Sequence, residues 1–290
     1  MSQHPQLQYH NAILELLNVV PTFSDINIEL IRQREEACKT TFPISVKEWF
    51  SLEGCTELFR EYTNQDELVH NYSFDVDEIS KISQLGDPEE TSQGWLRVAV
   101  ENQGVVRWYV PLGGSDDPPV FNDNDSYCFA ESDDDESDED FEWKVDLSKI
   151  DWVLDSVTFT NFIFDMLSNN CWKQWYTGMR LCAKSQAPTV EQLHQLRSLY
   201  REGPRTESSD ISAFRFYNKH CLIVIHTRKG EKPETEWIIG ADGPQSLYHC
   251  AKSVWHFHDL AKCFRQVSSK REAVSHIIER LQKDTGKDNA

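Results

Sequence analysis

The sequence lacks the long apolar runs of a membrane protein and the leader of a secreted one. No stretch approaches the ~18 consecutive apolar residues of a membrane-spanning helix. The opening residues, MSQHPQLQYH, contain no basic region followed by an apolar one. The eight cysteines are scattered and form no Cys-x-x-Cys pair, as is typical of reduced, buried thiols. We therefore expect a cytoplasmic protein that binds no membrane.

The motifs of the common enzyme classes are missing as well. The chain has no Gly-x-Ser-x-Gly nucleophile elbow, no glycine-rich phosphate loop and no His-Glu-x-x-His zinc motif. Histidines and cysteines are dense near the end of the chain, but their spacing fits zinc sites poorly; they are His249, Cys250, His256, His258 and Cys263. We predict no enzyme activity, no catalytic residue, no metal and no cofactor. An enzyme stays the third hypothesis, because catalytic triads are recognised by geometry.

Positive charge is scarce in the first part of the chain. Residues 1–170 hold 10 Lys and Arg against 35 Asp and Glu, a net charge of −25. Residues 171–290 hold the other 19 basic and 13 acidic residues, a net charge of +6, and the whole chain carries −19. An acidic surface repels nucleic acid and attracts basic proteins, so we expect a basic protein partner and no direct nucleic-acid binding. Solubility alone is an alternative reason for the acidity.

The clearest pattern lies at Trp95–Phe121. Apolar residues alternate from Leu96 to Val100 and predict a half-buried strand, and the β-branched and aromatic run Val105–Val110 predicts a second. The turn between them, Glu101–Gly104, contains Asn and Gly, which tolerate positive φ. The segment therefore predicts an antiparallel hairpin.

An irregular acidic loop follows the hairpin. Pro111 has no N–H to donate, so it should end the second strand. The loop Gly113–Pro119 is rich in turn residues, and a third strand is expected at Val120 and Phe121. Within it, Asp116 and Asp117 allow two interpretations. Their carboxylates either bond nearby backbone N–H groups or form part of a binding site.

Helices are predicted before and after this stretch. After it, Ser156 or Thr158 can cap a helix at Asn161–Leu167. An amphipathic pattern covers Leu7–Val20, and Ser24 or Asp25 can cap a second helix that runs to Cys38. Ser45–Glu48 has the form of a capping box at the start of a third helix, Val46–Leu52, which would stop at Gly54.

Three segments follow one another in a recognisable order: FPISVKEWFSLEG at Phe42–Gly54, the hairpin and loop at Leu96–Phe121, and TFTNFIFDML at Thr158–Leu167. Together they resemble the Smi/Knr branch of the SUKH superfamily, over about residues 24–170. The resemblance implies an α+β domain with a twisted antiparallel sheet flanked by helices. It also implies binding functions, in bacterial immunity proteins that neutralise toxin domains and in fungal regulators of cell-wall synthesis, and no shared catalytic residues.

An acidic run at residues 131–140 lies outside that family pattern. Eight of its ten residues are Asp or Glu, so it cannot bury enough apolar surface to fold and should be a disordered insertion. The run either attracts a basic partner or is merely solvated. Ser132 and Ser137 precede acids, which makes acid-directed phosphorylation a further hypothesis.

The remaining residues, 171–290, predict a second α+β region. Strands are expected at residues 211–217, 221–225 and 236–240, which would form a β-meander. Thr189 should cap a helix, and further helices are expected at about 246–264 and 270–282. The aromatic cluster Cys171–Tyr176 is interpreted as core between the two domains. The predicted domains are therefore 1–170 and 171–290.

The most specific hypothesis is a non-enzymatic protein-binding module of the immunity type, which neutralises a toxin domain such as a nuclease. The alternative is a regulatory or scaffold subunit with no toxin partner. Strand alternation means that one of Trp108 and Tyr109 faces outward as an aromatic anchor. The predicted partner-binding residues are Glu101, Asn102, Gln103, Trp108, Asp116 and Asp117.

Overall fold

The fold was obtained as a computed structural model. It describes residues 7–58, 85–100, 106–123, 146–175, 180–207, 211–257, 260, 264–266 and 271–287. The chain divides into two compact units: residues 1–9 with 21–162, and residues 10–20 with 163–290. Helices and antiparallel sheets occur in both units, which confirms the predicted α+β class.

Helices of the first unit begin where short polar side chains or prolines precede them. These helices are α2 (Asp25–Cys38), α3 (Ile44–Ser51) and α4 (Pro88–Ser92). Helix α1 (Asn11–Leu16) precedes them in the chain but belongs to the second unit. The Ser24 side chain caps α2 by accepting the Asn27 N–H at 3.2 Å, and α2 ends at Lys39 in the left-handed conformation. Both ends of α2 were predicted. Helix α1 is shorter than expected and starts only at Asn11.

The predicted capping box of α3 is wrong. The helix begins two residues earlier than predicted, with Pro43 at its N-cap, so Ser45 and Glu48 lie inside it. The Ser45 N–H donates instead to the Asp116 carbonyl at 2.9 Å. The Glu48 carboxylate accepts N–H groups from residues 8 and 9. Tertiary partners have replaced the local ones that the sequence pattern indicated.

The sheet of the first unit has the strand order β1-β2-β3-β4, and all neighbours are antiparallel. Its strands are β1 (Trp95–Val100), β2 (Arg107–Pro111), β3 (Val120–Asn122) and β4 (Val153–Ser156). The predicted hairpin, the strand end at Pro111 and the third strand are confirmed. Ala99 is buried although alternation predicted it to be exposed, because the β1–β2 register shifts between Arg97 and Ala99.

Cross-strand pairing places Trp108, Asn122 and Val153 on one face of this sheet. On that face, Trp108 packs against Phe162 with ring centroids 6.1 Å apart. Phe162 belongs to α5 (Phe159–Trp175), which carries the chain from the first unit into the second. The Thr158 hydroxyl caps α5 by accepting the Asn161 N–H at 3.0 Å, as predicted.

The sheet of the second unit is more regular. Its strand order is β11-β5-β10-β9-β8-β6, and β7 also pairs with β8. The strands are β5 (Arg180–Ser185), β6 (Arg201–Glu202), β7 (Thr206–Glu207), β8 (Ile211–Asn218), β9 (Cys221–Arg228), β10 (Glu234–Ala241) and β11 (Phe264–Gln266). The predicted meander is confirmed as β8, β9 and β10, while β5 and β11 on its far side were not predicted.

Helices α6 (Val190–Leu199), α7 (Pro244–Val254) and α8 (Arg271–Lys287) accompany this sheet. Thr189 caps α6, as predicted, and Gln192 completes a full capping box with it. Helix α7 ends well before the expected residue 264, since the chain turns at 255–257 and pairs with β5 as β11. One face of the sheet and the apolar sides of α7 and α8 form a continuous core that includes Phe216, Ile225, Trp237, Leu247 and Val274.

Predictions that lie outside the described residues include the acidic run 131–140, the turn Glu101–Gly104 and the side chains of Cys171–Tyr176. No helix in the described part of the chain combines the length and the apolar character needed to cross a bilayer.

Candidate protein-binding surface

The loop between β2 and β3, residues 112–119, is held in place by backbone hydrogen bonds at its start and in its middle. We refer to it as the proline loop. At its start, the Leu112 N–H donates to the Gly94 carbonyl at 2.9 Å; further on, the Asp116 carbonyl accepts the Ser45 N–H, also at 2.9 Å. Gly113 adopts φ +80°, which favours glycine. The loop is thus anchored to Gly94, which directly precedes β1, and to α3, although it has no regular structure.

Asp117 fixes the same loop to the start of α5. Its carboxylate accepts the Thr160 N–H at 3.0 Å, and its own N–H donates to the Ser115 hydroxyl at 3.1 Å. A carboxylate at a helix N-terminus satisfies an orphan N–H group and complements the helix dipole. Asp117 therefore bonds a backbone N–H group, which was one of the two interpretations of the sequence. That group is not nearby in the chain, however, but belongs to α5.

Asp116, in contrast, presents an exposed side chain beside an electronegative neighbourhood. Glu48 is almost fully buried, and its carboxylate accepts the Gln8 N–H at 2.6 Å and the Tyr9 N–H at 2.8 Å. Burial raises the pKa of Tyr9, and the negative charges of Asp116, Asp117 and Glu48 raise it further. Lys or Arg side chains of a partner would find a matching field here.

Trp108 does not lie on the surface, and its predicted role as an exposed aromatic anchor is wrong. Trp108 and Tyr109 are both 0% exposed. The Trp108 indole N–H donates to Asp155 at 2.9 Å, whereas the Tyr109 hydroxyl donates to Glu90 at 3.2 Å. Alternation does place the two rings on opposite faces of the sheet, but side chains of other elements cover both faces at this point.

Three other aromatic rings are only half-buried, and the sequence analysis did not select them. Trp95 stacks on Trp152 with centroids 4.1 Å apart and meets Phe121 edge to face at 5.7 Å. We call the half-buried rings of these three residues the aromatic face. Trp95 shares the parity of the outward-facing Arg97 in β1, which was the available signal. Trp152 carried no such signal because its position depends on long-range packing.

The other predicted site residues, Glu101, Asn102 and Gln103, lie outside the described residues. Of the predicted set, the structure places Asp116 and Asp117 together on the proline loop, where one is exposed and the other caps a helix.

Two of the described thiols are held in their protonated form by burial. Burial raises the pKa of the Cys55 thiol to about 12 and that of Cys182 to about 11, so neither is a ready nucleophile. Within the described ranges, no three His, Cys, Asp or Glu side chains gather in a way that could hold a metal ion.

The interpretation of this surface rests on its geometry, because comparison with known proteins gave no match. No protein-family model, no curated protein and no solved structure matches the chain. The SUKH resemblance therefore stays a prediction.

Proposed function

We propose that the chain is a non-enzymatic protein-binding module whose proline loop binds a basic protein. The observation that supports this most is the contrast between Asp116 and Asp117. The Asp117 carboxylate and the Asp116 carbonyl are used to fix the loop to α5 and α3, which leaves the Asp116 carboxylate exposed in a defined position. A pre-organised charge loses little conformational entropy on binding.

The charge distribution favours the same type of partner. The first unit holds 10 Lys and Arg against 33 Asp and Glu, a net charge of −23; the second holds 19 against 15, a net charge of +4. A field of one sign steers an oppositely charged partner and raises its association rate.

The partner class that we propose first is a toxin domain such as a nuclease, neutralised in the manner of an immunity protein. Nucleases bind phosphates through Lys and Arg, so their active-site surfaces are basic. An acidic module can cover such a surface, and the resemblance of residues 24–170 to the SUKH superfamily supports this class.

A regulatory or scaffold subunit is the second candidate. It is favoured by the second unit, which has its own continuous core and therefore its own surface. An inhibitor that only covers one active site does not require such a unit.

Affinity capture with the full chain tests the proposal. Tagged wild-type protein is incubated with lysate of its host at low salt, washed and eluted with high salt. We expect a stoichiometric basic protein that high salt releases and that Asp116→Lys captures poorly. Asp117 is left unchanged because its carboxylate caps α5.

The control is Glu231→Lys, the same charge change at an exposed turn of the second unit. Equal capture by wild type, Asp116→Lys and Glu231→Lys would contradict the proposed site. A toxin-like basic protein supports the immunity type, while several larger proteins that remain bound at high salt support the scaffold.

A further inference from the structure

The last strand of the sheet in the first unit, β4, presents an apolar edge. Strand β4 stands at the end of the order β1-β2-β3-β4, and among the residues that the structure describes no strand pairs along its outer side. Val153 and Leu154 are each 39% exposed, and Val157, just past the strand, is 42% exposed. An edge with unpaired backbone groups and exposed aliphatic side chains is a template for another strand.

The register places this edge beside the aromatic face. Arg97 pairs with Tyr109, Tyr109 with Phe121, and Phe121 with Leu154. Directly opposed residues of antiparallel strands point to the same face, so this row ends at Leu154. Trp152, two residues before Leu154, contacts Tyr109 edge to face at 5.2 Å. A strand added along β4 would therefore share a face with the half-buried rings, with Leu154 as its direct neighbour on that face.

We infer that the outer edge of β4 binds an extended basic segment of the partner by β-strand addition. This inference rests on the proposed function and specifies how the partner binds. The segment alternates Arg or Lys with aliphatic residues, because successive side chains of a strand point to opposite faces. Its cations extend over Leu154, on the face that also carries Phe121 and Trp152, and its aliphatic side chains meet Val153 on the other face.

The charge of the surroundings selects a basic segment over a neutral one. The first unit carries −23, and the exposed Asp151 directly precedes Trp152. Arg and Lys are attracted to the faces of Trp and Phe rings as well as to carboxylates. Main-chain hydrogen bonds provide affinity in strand addition, while the alternate side chains provide specificity.

A fluorescent ten-residue peptide that alternates Arg and Val is the probe, with the full-length chain and anisotropy in 0.15 M salt as the readout. Two further peptides carry N-methyl groups on the odd or on the even amides. Only every second amide of an added strand donates to the edge. We expect one N-methylated peptide to bind within about twofold of the parent and the other at least about tenfold more weakly.

Substitutions locate the edge. We expect Leu154→Lys, and independently Val153→Lys, to weaken binding of the parent peptide at least about tenfold through charge repulsion and lost apolar contact. The control is Ile26→Lys, which changes an exposed aliphatic residue on α2 of the same unit and should stay within about twofold. These residues are exposed, so the variants should fold.

Binding that is insensitive to N-methylation on both registers and to both β4 substitutions would overturn the inference, since it would be charge attraction alone. A wild-type dimer that Leu154→Lys converts to a monomer would also overturn it, by assigning the edge to a second copy. If Asp116→Lys reduces partner capture and Leu154→Lys does not, the proposed function stands and this inference alone fails.

Discussion

The two units of the chain differ in strand length and in the contacts that hold them together. In the second unit, β8, β9 and β10 are eight residues each and cover a continuous apolar core. In the first unit, β1 to β4 are three to six residues long, and the carboxylates of Asp117, Asp155 and Glu48 hold loops and rings in place. The comparison teaches that the second unit packs its apolar residues behind long strands, whereas the first unit, which we call the acidic unit, adds polar contacts to its apolar core, and these contacts also position its surface.

The largest effect is expected in the apolar core. Trp237 is fully buried, packs against Phe257 with centroids 6.0 Å apart and donates to the Gln186 carbonyl at 3.0 Å. We expect Trp237→Ala to lower the free energy of unfolding by about 3–5 kcal/mol, measured by urea denaturation. The exposed Val190→Ala is the control and should change it by less than about 0.5 kcal/mol. A similar small change for Trp237→Ala would show that this core is not the source of stability.

A pair of glycines tests the packing of the acidic unit. Gly86 and Gly94 both have positive φ, but a Cβ at Gly86 would lie 2.9 Å from the Phe42 ring and 3.0 Å from Leu96, whereas Gly94 has open space around it. Left-handed backbone costs about 1–2 kcal/mol for a residue with a Cβ, and overpacking adds about 1–3 kcal/mol. We therefore expect Gly86→Ala to cost about 2–5 kcal/mol and Gly94→Ala about 1–2 kcal/mol. Equal losses in urea denaturation would contradict the packing around Gly86.

The same contrast explains what the sequence could predict. Helix caps at Ser24, Thr158 and Thr189 were predicted because each bond joins residues three positions apart. The β1–β2 hairpin and the meander were predicted because alternation and turn residues are local signals too.

Long-range contacts decided what the sequence could not predict. The cap on Thr160 comes from Asp117, 43 residues earlier in the chain. The Glu48 carboxylate accepts hydrogen bonds from N–H groups of a segment about 40 residues away rather than from its own helix. The burial of Trp108 depends on α5 and on Asp155. Its residue type and its place in the strand alternation therefore wrongly predicted an exposed side chain. No local pattern specifies such partners.

Protonation of Glu90 should stabilise the acidic unit. Glu90 is buried, accepts from the Tyr109 hydroxyl and pairs with Arg97 at 3.3 Å. Burial raises its pKa above the ordinary 4.5, and Arg97 offsets this only in part. The folded state then binds the proton more tightly than the unfolded state, so stability falls as pH rises from 4.5 through the folded pKa. We expect Glu90→Gln to reduce this slope in urea denaturation across pH 4.5–8, whereas the exposed Glu89→Gln keeps it; identical slopes would contradict the burial of the charge.

His226 in the second unit should respond in the opposite direction, with a smaller effect because its side chain is only half-buried. Burial lowers its pKa below the ordinary 6.5, and Arg215 lowers it further. The unfolded state then binds the proton more tightly, so stability is complete above pH 6.5 and falls as the pH drops toward the folded pKa. His226→Gln should weaken that fall between pH 7.5 and 5, and the exposed His276→Gln should not. A fall that His226→Gln leaves unchanged would assign it to other groups.

The most direct test of the central claim is the association rate of the captured partner, measured at low and at physiological salt with the wild type, Asp116→Lys and Glu231→Lys. If the proline loop is the binding surface, Asp116→Lys associates more slowly than the wild type at low salt and depends less on salt, because a steering charge has been reversed where the partner binds. Glu231→Lys should follow the wild type closely. Equal low-salt rates for the wild type and Asp116→Lys would contradict the claim and move the binding surface away from the proline loop.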